Sequence, residues 1–201
     1  PSGIGPEIVA QAWVARDVQR LPDFFAVGDI RAISQVWRGP VAKIHNPEEA
    51  HDAFPTALPV LEAVDGGDIR VGQPDCNGAR CALDALELAV GLTRSGVASG
   101  LVTGPVCKAR LYEIGFTHQG QTEFIAERCG VSANNAVMML AGPGLKVVPV
   151  TTHVALRDVA DRLSVDLIVA QARTTAKGLV RNFGILEPKL AIAGFNPHAG
   201  E

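Results

Sequence analysis

The stretch Lys146-Val147-Val148-Pro149-Val150-Thr151-Thr152-His153 carries the pattern on which the fold class depends, a short β-branched run that ends in a polar loop. Ser99 to Val102 runs into Thr103-Gly104-Pro105 in the same way, and Lys189 to Ala193 runs into Asn196-Pro197-His198. Longer segments with helical spacing separate these runs. Because such alternation is typical of βαβ units, the sequence predicts an α/β fold with a mainly parallel sheet flanked by helices.

The first forty residues show the same alternation. Pro6 suits the first turn of a helix, where its missing N–H costs nothing, so a helix is predicted over Glu7 to Val14. Phe24 to Val27 is predicted to be a strand, and Ile30 to Trp37 a helix. Residues 38–78 contain short apolar runs and several prolines, and we interpret them as part of a smaller lobe.

Two longer helices are predicted from their apolar spacing. One begins near Ala79 and ends before Gly96, and the other begins after Ser164, whose hydroxyl can cap it. The buried stripe of the second helix is expected to consist of Val165, Ile168, Val169, Ala172, Ala176 and Leu179. We expect residues 1–201 to form one incomplete α/β unit, because both ends of the sequence look cut.

Composition excludes several classes of protein. The net charge is −3 and the basic residues are scattered, so nucleic-acid binding is not expected. No apolar run reaches the roughly 18 residues of a membrane span, and the opening residues do not resemble a secretory signal. The four cysteines form no CxxC pair, which favours a reduced, cytoplasmic protein over a disulfide scaffold.

Two histidines are the strongest candidates for a metal site. His153 and His198 each follow a predicted strand, and parallel strands would present both imidazoles at the same edge of the sheet. Neutral imidazole is a good ligand for zinc, cobalt or nickel, and two histidines leave room for a further ligand and a substrate. The alternative is that each histidine only forms hydrogen bonds within its own loop.

Two further clusters could bind an anion. Lys108 follows the Thr103-Gly104-Pro105 turn and offers a point charge for a phosphate or carboxylate, although a solvated lysine after an ordinary turn fits as well. We expect Cys107 to be a packed thiol, because no histidine or aspartate partner can be placed beside it. Gln121 and Thr122 open a predicted helix with Thr122 as its N-cap, which predicts either an anion site or capping alone.

Several familiar signatures are absent. Gly3-Ile4-Gly5 resembles the start of a GxGxxG fingerprint, but Ile8 occupies the third glycine position. The opening loop from Ser2 to Glu7 therefore either cradles an anion in another way or only makes the turn into a helix. The sequence has no GxxxxGK[ST], HExxH or GxSxG motif. An NAD enzyme with this sequence would need a different way to hold its cofactor.

Five segments together resemble a known family, the 4-hydroxythreonine-4-phosphate dehydrogenases of pyridoxal phosphate biosynthesis. They are similar to its GIGPE, TGPVxK, G-H/Q-TE-F, TTHxxLRD and NPHAGE motifs in the same order. In this sequence they are Pro1–Glu7, Leu101–Lys108, Gly120–Phe124, Val150–Asp158 and Asn196–Glu201.

The resemblance implies an isocitrate/isopropylmalate-dehydrogenase-like fold with two lobes, the second of them incomplete here. It also implies a homodimer with the active site at the subunit interface, NAD, and a divalent metal such as zinc, magnesium or cobalt. In the implied reaction, NAD oxidises 4-phosphohydroxy-L-threonine, and loss of CO₂ gives 3-amino-2-oxopropyl phosphate. His153 and His198 are then metal ligands, Gln121 and Thr122 contact the substrate, and Lys108 assists catalysis electrostatically. The NAD contacts are not identified.

The sequence departs from the family pattern in two ways. Gln121 stands where many members have histidine, which keeps a paralogous D-threonate or D-erythronate 4-phosphate dehydrogenase as an alternative. The family's third metal-binding histidine belongs to a C-terminal segment that does not occur in these residues, so we expect weak metal binding and poor turnover from them alone. The sequence is also compatible with a metal-dependent hydrolase or lyase that uses the same histidines, and with a non-catalytic fragment.

Overall fold

The computed structural model describes residues 1–62, 65–132 and 135–198. Within the chain, two compact units are distinguished, Pro1–Gly120 and Gln121–Glu201, here called unit 1 and unit 2. The last three residues of the predicted NPHAGE motif lie outside the described part of the chain.

Unit 1 contains a three-stranded parallel sheet. Its strands are β1 (Ala26–Gly28), β2 (Val41–Ile44) and β3 (Leu58–Glu62), in the order β1-β3-β2. Val60 pairs with Ala26 on one side and with Lys43 on the other. Pro59 is tolerated in the central strand because β1 begins pairing only at Val60, one residue further on. The predicted parallel α/β architecture is confirmed for this unit.

Helices surround this sheet in the order expected for βαβ units. Five of them lie before residue 95: α1 (Gly5–Val14), α2 (Arg16–Gln19), α3 (Ile30–Val36), α4 (Glu49–Ala53) and α5 (Cys76–Arg94). A sixth, α6 (Lys108–Glu113), follows a long irregular segment. The predicted helices at Glu7 to Val14, Ile30 to Trp37 and Ala79 to Gly96 are therefore confirmed to within a few residues.

The alternating side chains of β3 divide the core of unit 1 into two parts. Leu58 and Val60 are fully buried and cluster with Trp13 of α1 and Ile33 of α3. Leu61 points the other way and clusters with Ile44, Ala50 of α4 and Leu92 of α5. Because both faces of the sheet are covered, the central strand can be apolar from Leu58 to Leu61.

Residues 38–78, interpreted above as part of a smaller lobe, supply β2, α4 and β3 to this sheet. The side chains of Trp13 in α1 and Arg16 in α2 contact this segment. Trp13 Nε1 donates a hydrogen bond to the Phe54 carbonyl over 2.9 Å, in a buried position. The Arg16 guanidinium lies 3.9 Å from the Trp13 ring centroid and donates to the Pro55 carbonyl over 2.8 Å. The assignment of residues 38–78 to a separate lobe stays a prediction.

Three α-helices are found among the described residues of unit 2. They are α7 (Gln121–Arg128), α8 (Val159–Arg162) and α9 (Val165–Phe183), with a 3₁₀ turn at Leu156–Asp158. Two short antiparallel strands, β4 (Leu140–Ala141) and β5 (Lys146–Val147), form a hairpin. Ser164 caps α9 as predicted, because its Oγ accepts the Leu167 N–H over 3.1 Å.

Three predicted strands are wrong in part or entirely. Ser99 to Val102 and Lys189 to Ala193 are irregular, and Lys146 to Val150 is reduced to two residues in an antiparallel pair. A strand needs a neighbour for its N–H and C=O groups, and periodicity alone does not supply one. These segments are also largely solvent-facing, with Val102 97% and Ile192 65% exposed.

The apolar stripe predicted for α9 is only partly buried. Leu179 is buried and Ile168 is half-buried, but Val165 and Val169 are exposed, so the N-terminal half of the stripe is covered less than its C-terminal end. Across the described ranges, no helix combines the length and apolarity that crossing a membrane requires.

Candidate functional site

Gln121 and Thr122 lie at the beginning of α7, as the sequence predicted. Gln121 is the first helical residue and is half-buried, whereas Thr122 is exposed. The prediction that Thr122 is the N-cap is wrong, because the helix begins one residue earlier. Both residues nevertheless lie in the first turn of an eight-residue helix, where the helix dipole favours a negative group.

His153 is exposed in the loop that precedes the 3₁₀ turn, and its backbone is unusual. Its φ is 58°, in the left-handed region that few residues other than glycine adopt. Histidine is one of the residue types that tolerate this region better than most. The ring is therefore held by a locally constrained backbone and not by burial.

His198 belongs to a turn that begins at Asn196. Its backbone N–H donates to Asn196 Oδ1 over 2.8 Å, the pattern of an Asx turn, and both residues are exposed. This hydrogen bond explains why an asparagine stands two residues before the histidine. It fixes the backbone at His198 within unit 2.

The two imidazoles were expected to meet because parallel strands were predicted before them, and that premise is wrong. His153 follows a two-residue antiparallel strand by six positions, and His198 follows an irregular segment. No group of three or more His, Cys, Asp or Glu side chains is placed to hold a metal in the ranges that are described. The two-histidine metal site therefore stays a prediction.

Lys108 and Cys107 lie in unit 1, at the beginning of α6. Lys108 is the first residue of the helix and is exposed, and Cys107 is the residue before it. The expectation that Cys107 is a packed thiol is wrong, because it is exposed. A Cβ on Gly104 would lie 3.6 Å from the Cα of Gly5, so the Thr103-Gly104-Pro105 turn approaches the opening glycine loop.

Asp29 is a buried charge that was not identified from the sequence. It directly follows β1 and caps α3, accepting the Arg31 N–H over 2.8 Å, and its Oδ2 accepts the Gly66 N–H over 2.7 Å. The Arg31 guanidinium pairs with the same carboxylate at 2.6 Å and also with Asp65. The Gly28-Asp29 pair directly after a predicted strand was the available signal.

Hydrogen bonds decide the ionisation of this carboxyl. Burial alone would raise the pKa of Asp29, but the bonds from Arg31 and Gly66 outweigh it, so the pKa lies below the ordinary aspartate value. The same contacts raise the pKa of Arg31. Asp29 is therefore a permanent anion at neutral pH, and it fastens the loop after β3 to the end of β1.

That loop continues to the beginning of α5 through three further contacts. Gln35 Nε2 donates to the Ile69 carbonyl over 2.9 Å, and the Gly72 N–H donates to the Ser2 carbonyl over 2.8 Å. Asp75 then caps α5, accepting the Gly78 N–H over 2.7 Å. The loop is thus attached both to α3 and to the opening glycine segment.

A cavity of about 400 Å³ lies within unit 1 where these segments meet. Its lining comes from the opening loop, from the first two turns of α5, and from the segment before and within α6. The first and last of these were considered from the sequence either as anion sites or as ordinary turns, and Lys108, the charged residue of the last, is not among the lining residues. The structure brings them together around one cavity.

Two thiols of α5 and an ion pair of α6 lie on the helices that contribute to this cavity, and Arg110 of the ion pair lines it. Arg110 Nη1 pairs with Glu113 at 2.7 Å, and Cys76 Sγ donates to the same carboxylate over 3.3 Å. The hydrogen bond to Glu113 raises the pKa of Cys76, so this thiol is protonated at neutral pH. Cys81 lies further along α5 and is buried, and burial raises its pKa too.

The amino-acid sequence matches one protein family over most of its length. Residues 20–201 match the family described as pyridoxal phosphate biosynthetic protein PdxA. A 4-hydroxythreonine-4-phosphate dehydrogenase from Zymomonas mobilis is 51% identical over 201 residues, and one from Erythrobacter litoralis is 46% identical over 206.

Solved structures give the same result. A crystal structure of a 4-hydroxythreonine-4-phosphate dehydrogenase from Burkholderia phymatum superposes with a TM-score of 0.82 at 25% identity, covering 99% of this chain. The chain covers 61% of that structure, and it covers 60% of the Zymomonas relative and 61% of the Erythrobacter relative. It therefore spans about three fifths of the length of these proteins.

Proposed function

The chain belongs to the PdxA family of pyridoxal phosphate biosynthetic proteins, and from this premise we propose that the whole protein is an NAD-dependent 4-hydroxythreonine-4-phosphate dehydrogenase. It would oxidise the secondary alcohol of 4-phosphohydroxy-L-threonine, and the product would lose CO₂ to give 3-amino-2-oxopropyl phosphate. The observation that carries the proposal is 51% identity to a dehydrogenase of that name over all 201 residues.

We propose that Gln121 and Thr122 contact the substrate. This role is supported by the position of both residues in the first turn of α7, where backbone N–H groups and the helix dipole favour an anion. The amide of Gln121 can donate and accept hydrogen bonds, but it cannot carry charge or move a proton at neutral pH. Its proposed role is therefore to orient the substrate, not to act as a base.

We propose His153 and His198 as metal ligands. Both lie in exposed loops of unit 2, where an imidazole can reach an ion, and two imidazoles form a donor set that suits zinc or cobalt. When bound, the cation would polarise the substrate oxygen while NAD accepts the hydride. The left-handed backbone of His153 and the Asn196 turn at His198 limit the directions in which the two rings can point.

Lys108 is proposed as an electrostatic aid to catalysis. Its ammonium is exposed on the first residue of α6, and a compact charge on a flexible chain suits a phosphate or a carboxylate. The family resemblance also supports a homodimer with its active site at the subunit interface, which light scattering of the full-length protein would measure.

The test is an assay of NADH absorbance with 4-phosphohydroxy-L-threonine, purified full-length protein and added metal. His153→Asn and His198→Ala should each lower the rate by at least about 100-fold, because loss of a ligand exceeds the 10–100-fold effect of losing its supporting contacts. Bound metal, measured by mass spectrometry, should fall in parallel. His45→Ala, which removes an exposed histidine of unit 1, should change neither quantity.

Two results would count against the proposal. Unchanged metal content and rate in both variants would remove the histidines from the mechanism. Consumption of the substrate without NADH formation would indicate a hydrolase or lyase instead.

A further inference from the structure

We propose that Asn196 is a positioning residue, whose side chain holds the backbone at His198 in the conformation that binds a divalent metal ion. The metal itself, and His198 as one of its ligands, rest on the proposed function. The role of Asn196 rests on the geometry of the turn that it closes within unit 2.

The turn at Asn196 is closed by a side chain. Asn196 Oδ1 accepts the His198 N–H over 2.8 Å, so the amide oxygen takes the place that a backbone carbonyl has in an ordinary turn. Residues 191–194 before the turn are irregular, and residues 196–198 are all exposed. Because neither burial nor regular secondary structure holds the backbone at this point, a local hydrogen bond has a large share in fixing it.

Pro197 restricts the same turn through the backbone. The proline ring holds φ at about −65°, and proline has no N–H that would need a partner. Proline also confines the residue before it, here Asn196, to extended conformations. The side-chain hydrogen bond and the ring therefore both reduce the number of conformations that the segment can adopt before a metal ion binds.

A loop that is already ordered binds a metal ion more tightly than a mobile one. Each imidazole must come within about 0.2 Å of the ideal distance to the ion, and conformational freedom that is lost on binding lowers the affinity. Asn196 reduces that loss at His198. At His153 the backbone is constrained differently, by a φ of 58°. The two proposed ligands are thus oriented by separate local features, and Asn196 acts on His198.

The experiment titrates Co²⁺ into metal-free, full-length protein and follows the visible absorbance of the bound ion. Asn196→Ala removes the acceptor and should weaken Co²⁺ binding by about three- to tenfold, the effect of one ordinary hydrogen bond. Asn196→Ser should restore part of the affinity, because a serine hydroxyl forms the same turn more weakly. Pro197→Ala should weaken binding by about two- to fivefold, because the backbone gains freedom.

Asn182→Ala is the matched control. Asn182 is also an exposed asparagine of unit 2, but its Oδ1 accepts a side-chain hydrogen bond, from Arg181 Nε over 3.0 Å. This variant should bind Co²⁺ as wild type does. The melting temperatures of the metal-free proteins should be equal, because both asparagines are on the surface.

Hydrogen exchange reports the turn independently of the metal. Exchange of the His198 amide should be faster in metal-free Asn196→Ala than in wild type, and slower again in Asn196→Ser. Faster exchange together with unchanged Co²⁺ affinity would overturn the inference, because the turn would then have a structural role only. Unchanged exchange in Asn196→Ala would also overturn it.

His198→Ala separates the inference from the proposed function. If His198→Ala loses Co²⁺ binding while Asn196→Ala binds the ion as tightly as wild type does, the inference fails and the proposed metal ligand stands. If Asn196→Ala weakens Co²⁺ binding and Asn196→Ser restores it, but wild type never forms NADH, the inference stands and the proposed function fails.

Discussion

The two units of this chain differ in how they pair the backbone N–H and C=O groups of their strands and in how far they bury apolar side chains. Unit 1 places a parallel sheet between helices, and its central strand contains Leu58 and Val60 at 0% exposure. Unit 2 has one long helix, and its described strands are the two-residue pair β4 and β5. Several of its large apolar side chains are more than half exposed, among them Leu186 at 81%.

This difference shows that a similar local pattern can have two outcomes. Leu58 to Leu61 and Leu190 to Ala193 are both short apolar runs, yet only the first forms a strand. The first has neighbours on both sides of it in the sheet, whereas the second has none in the described residues of unit 2. Partners, and not propensity, therefore determine which run becomes a strand.

The largest expected effect that tests this comparison is the difference in free energy of unfolding caused by the same substitution at two leucines. Leu58→Ala should lower the free energy of unfolding by about 2–5 kcal/mol, because it opens a cavity in a closed core. Leu186→Ala should change it by less than about 0.5 kcal/mol, because that side chain is already in solvent. Urea unfolding of both variants measures the difference. Equal losses would mean that Leu186 is covered in solution.

A smaller effect is expected from the buried carboxylate that holds unit 1 together. Asp29→Asn should cost about 2 kcal/mol at neutral pH, because Arg31 and Gly66 lose a charged acceptor. Asp68→Asn is the matched control, since Asp68 is exposed and pairs only with Arg70 among the described charged groups. Its cost should be near zero, and both values come from the same urea unfolding measurement.

The pH dependence of the Asp29 effect has a definite sign. Its pKa in the folded state lies below 3.8, so its contribution to stability is complete above that pH. The contribution is lost as the pH falls through the lowered value, and the difference between wild type and Asp29→Asn should shrink there. A difference that stays constant down to the acid transition would contradict the role given to this charge.

The smallest effect concerns a helix end in unit 2. Ser164→Ala removes the N-cap of α9 and should cost about 1 kcal/mol, seen as faster hydrogen exchange at Leu167. Ser34→Ala is the comparison in unit 1, because Ser34 Oγ only donates to the Ile30 carbonyl within α3. That change should be neutral. Equal acceleration in both helices would show that capping does not stabilise α9.

Local chemistry made the helices predictable from sequence. Pro6, Ser164 and Gly96 mark helix boundaries through hydrogen bonding and backbone geometry that involve only a few neighbouring residues. The first strand was also found, because apolar residues there are followed by Gly28-Asp29. These boundaries agree with the structure to within a few residues.

The pairing of strands, and the meeting of distant segments around the cavity, could not be predicted from local sequence in the same way. The strands expected at residues 99–102 and 189–193 needed partners that no local pattern specifies. The cavity was missed because its walls come from positions separated by about a hundred residues, and Ser2 and Arg110 are ordinary within their own segments. Family resemblance supplied the substrate contacts of Gln121 and Thr122 and the catalytic role of Lys108, whereas the metal role of His153 and His198 was first predicted from their positions after expected strands; all of these roles stay predictions.

The burial of Cys81 has a consequence for how this protein would respond to oxidants. Peroxides attack the thiolate form of accessible cysteines, and Cys107 and Cys129 are on the surface, whereas the exposed Cys76 is held as a thiol by its raised pKa. Cys81 is both shielded and held as a thiol by its raised pKa. Oxidative damage would therefore begin at the periphery and leave α5 attached to the sheet.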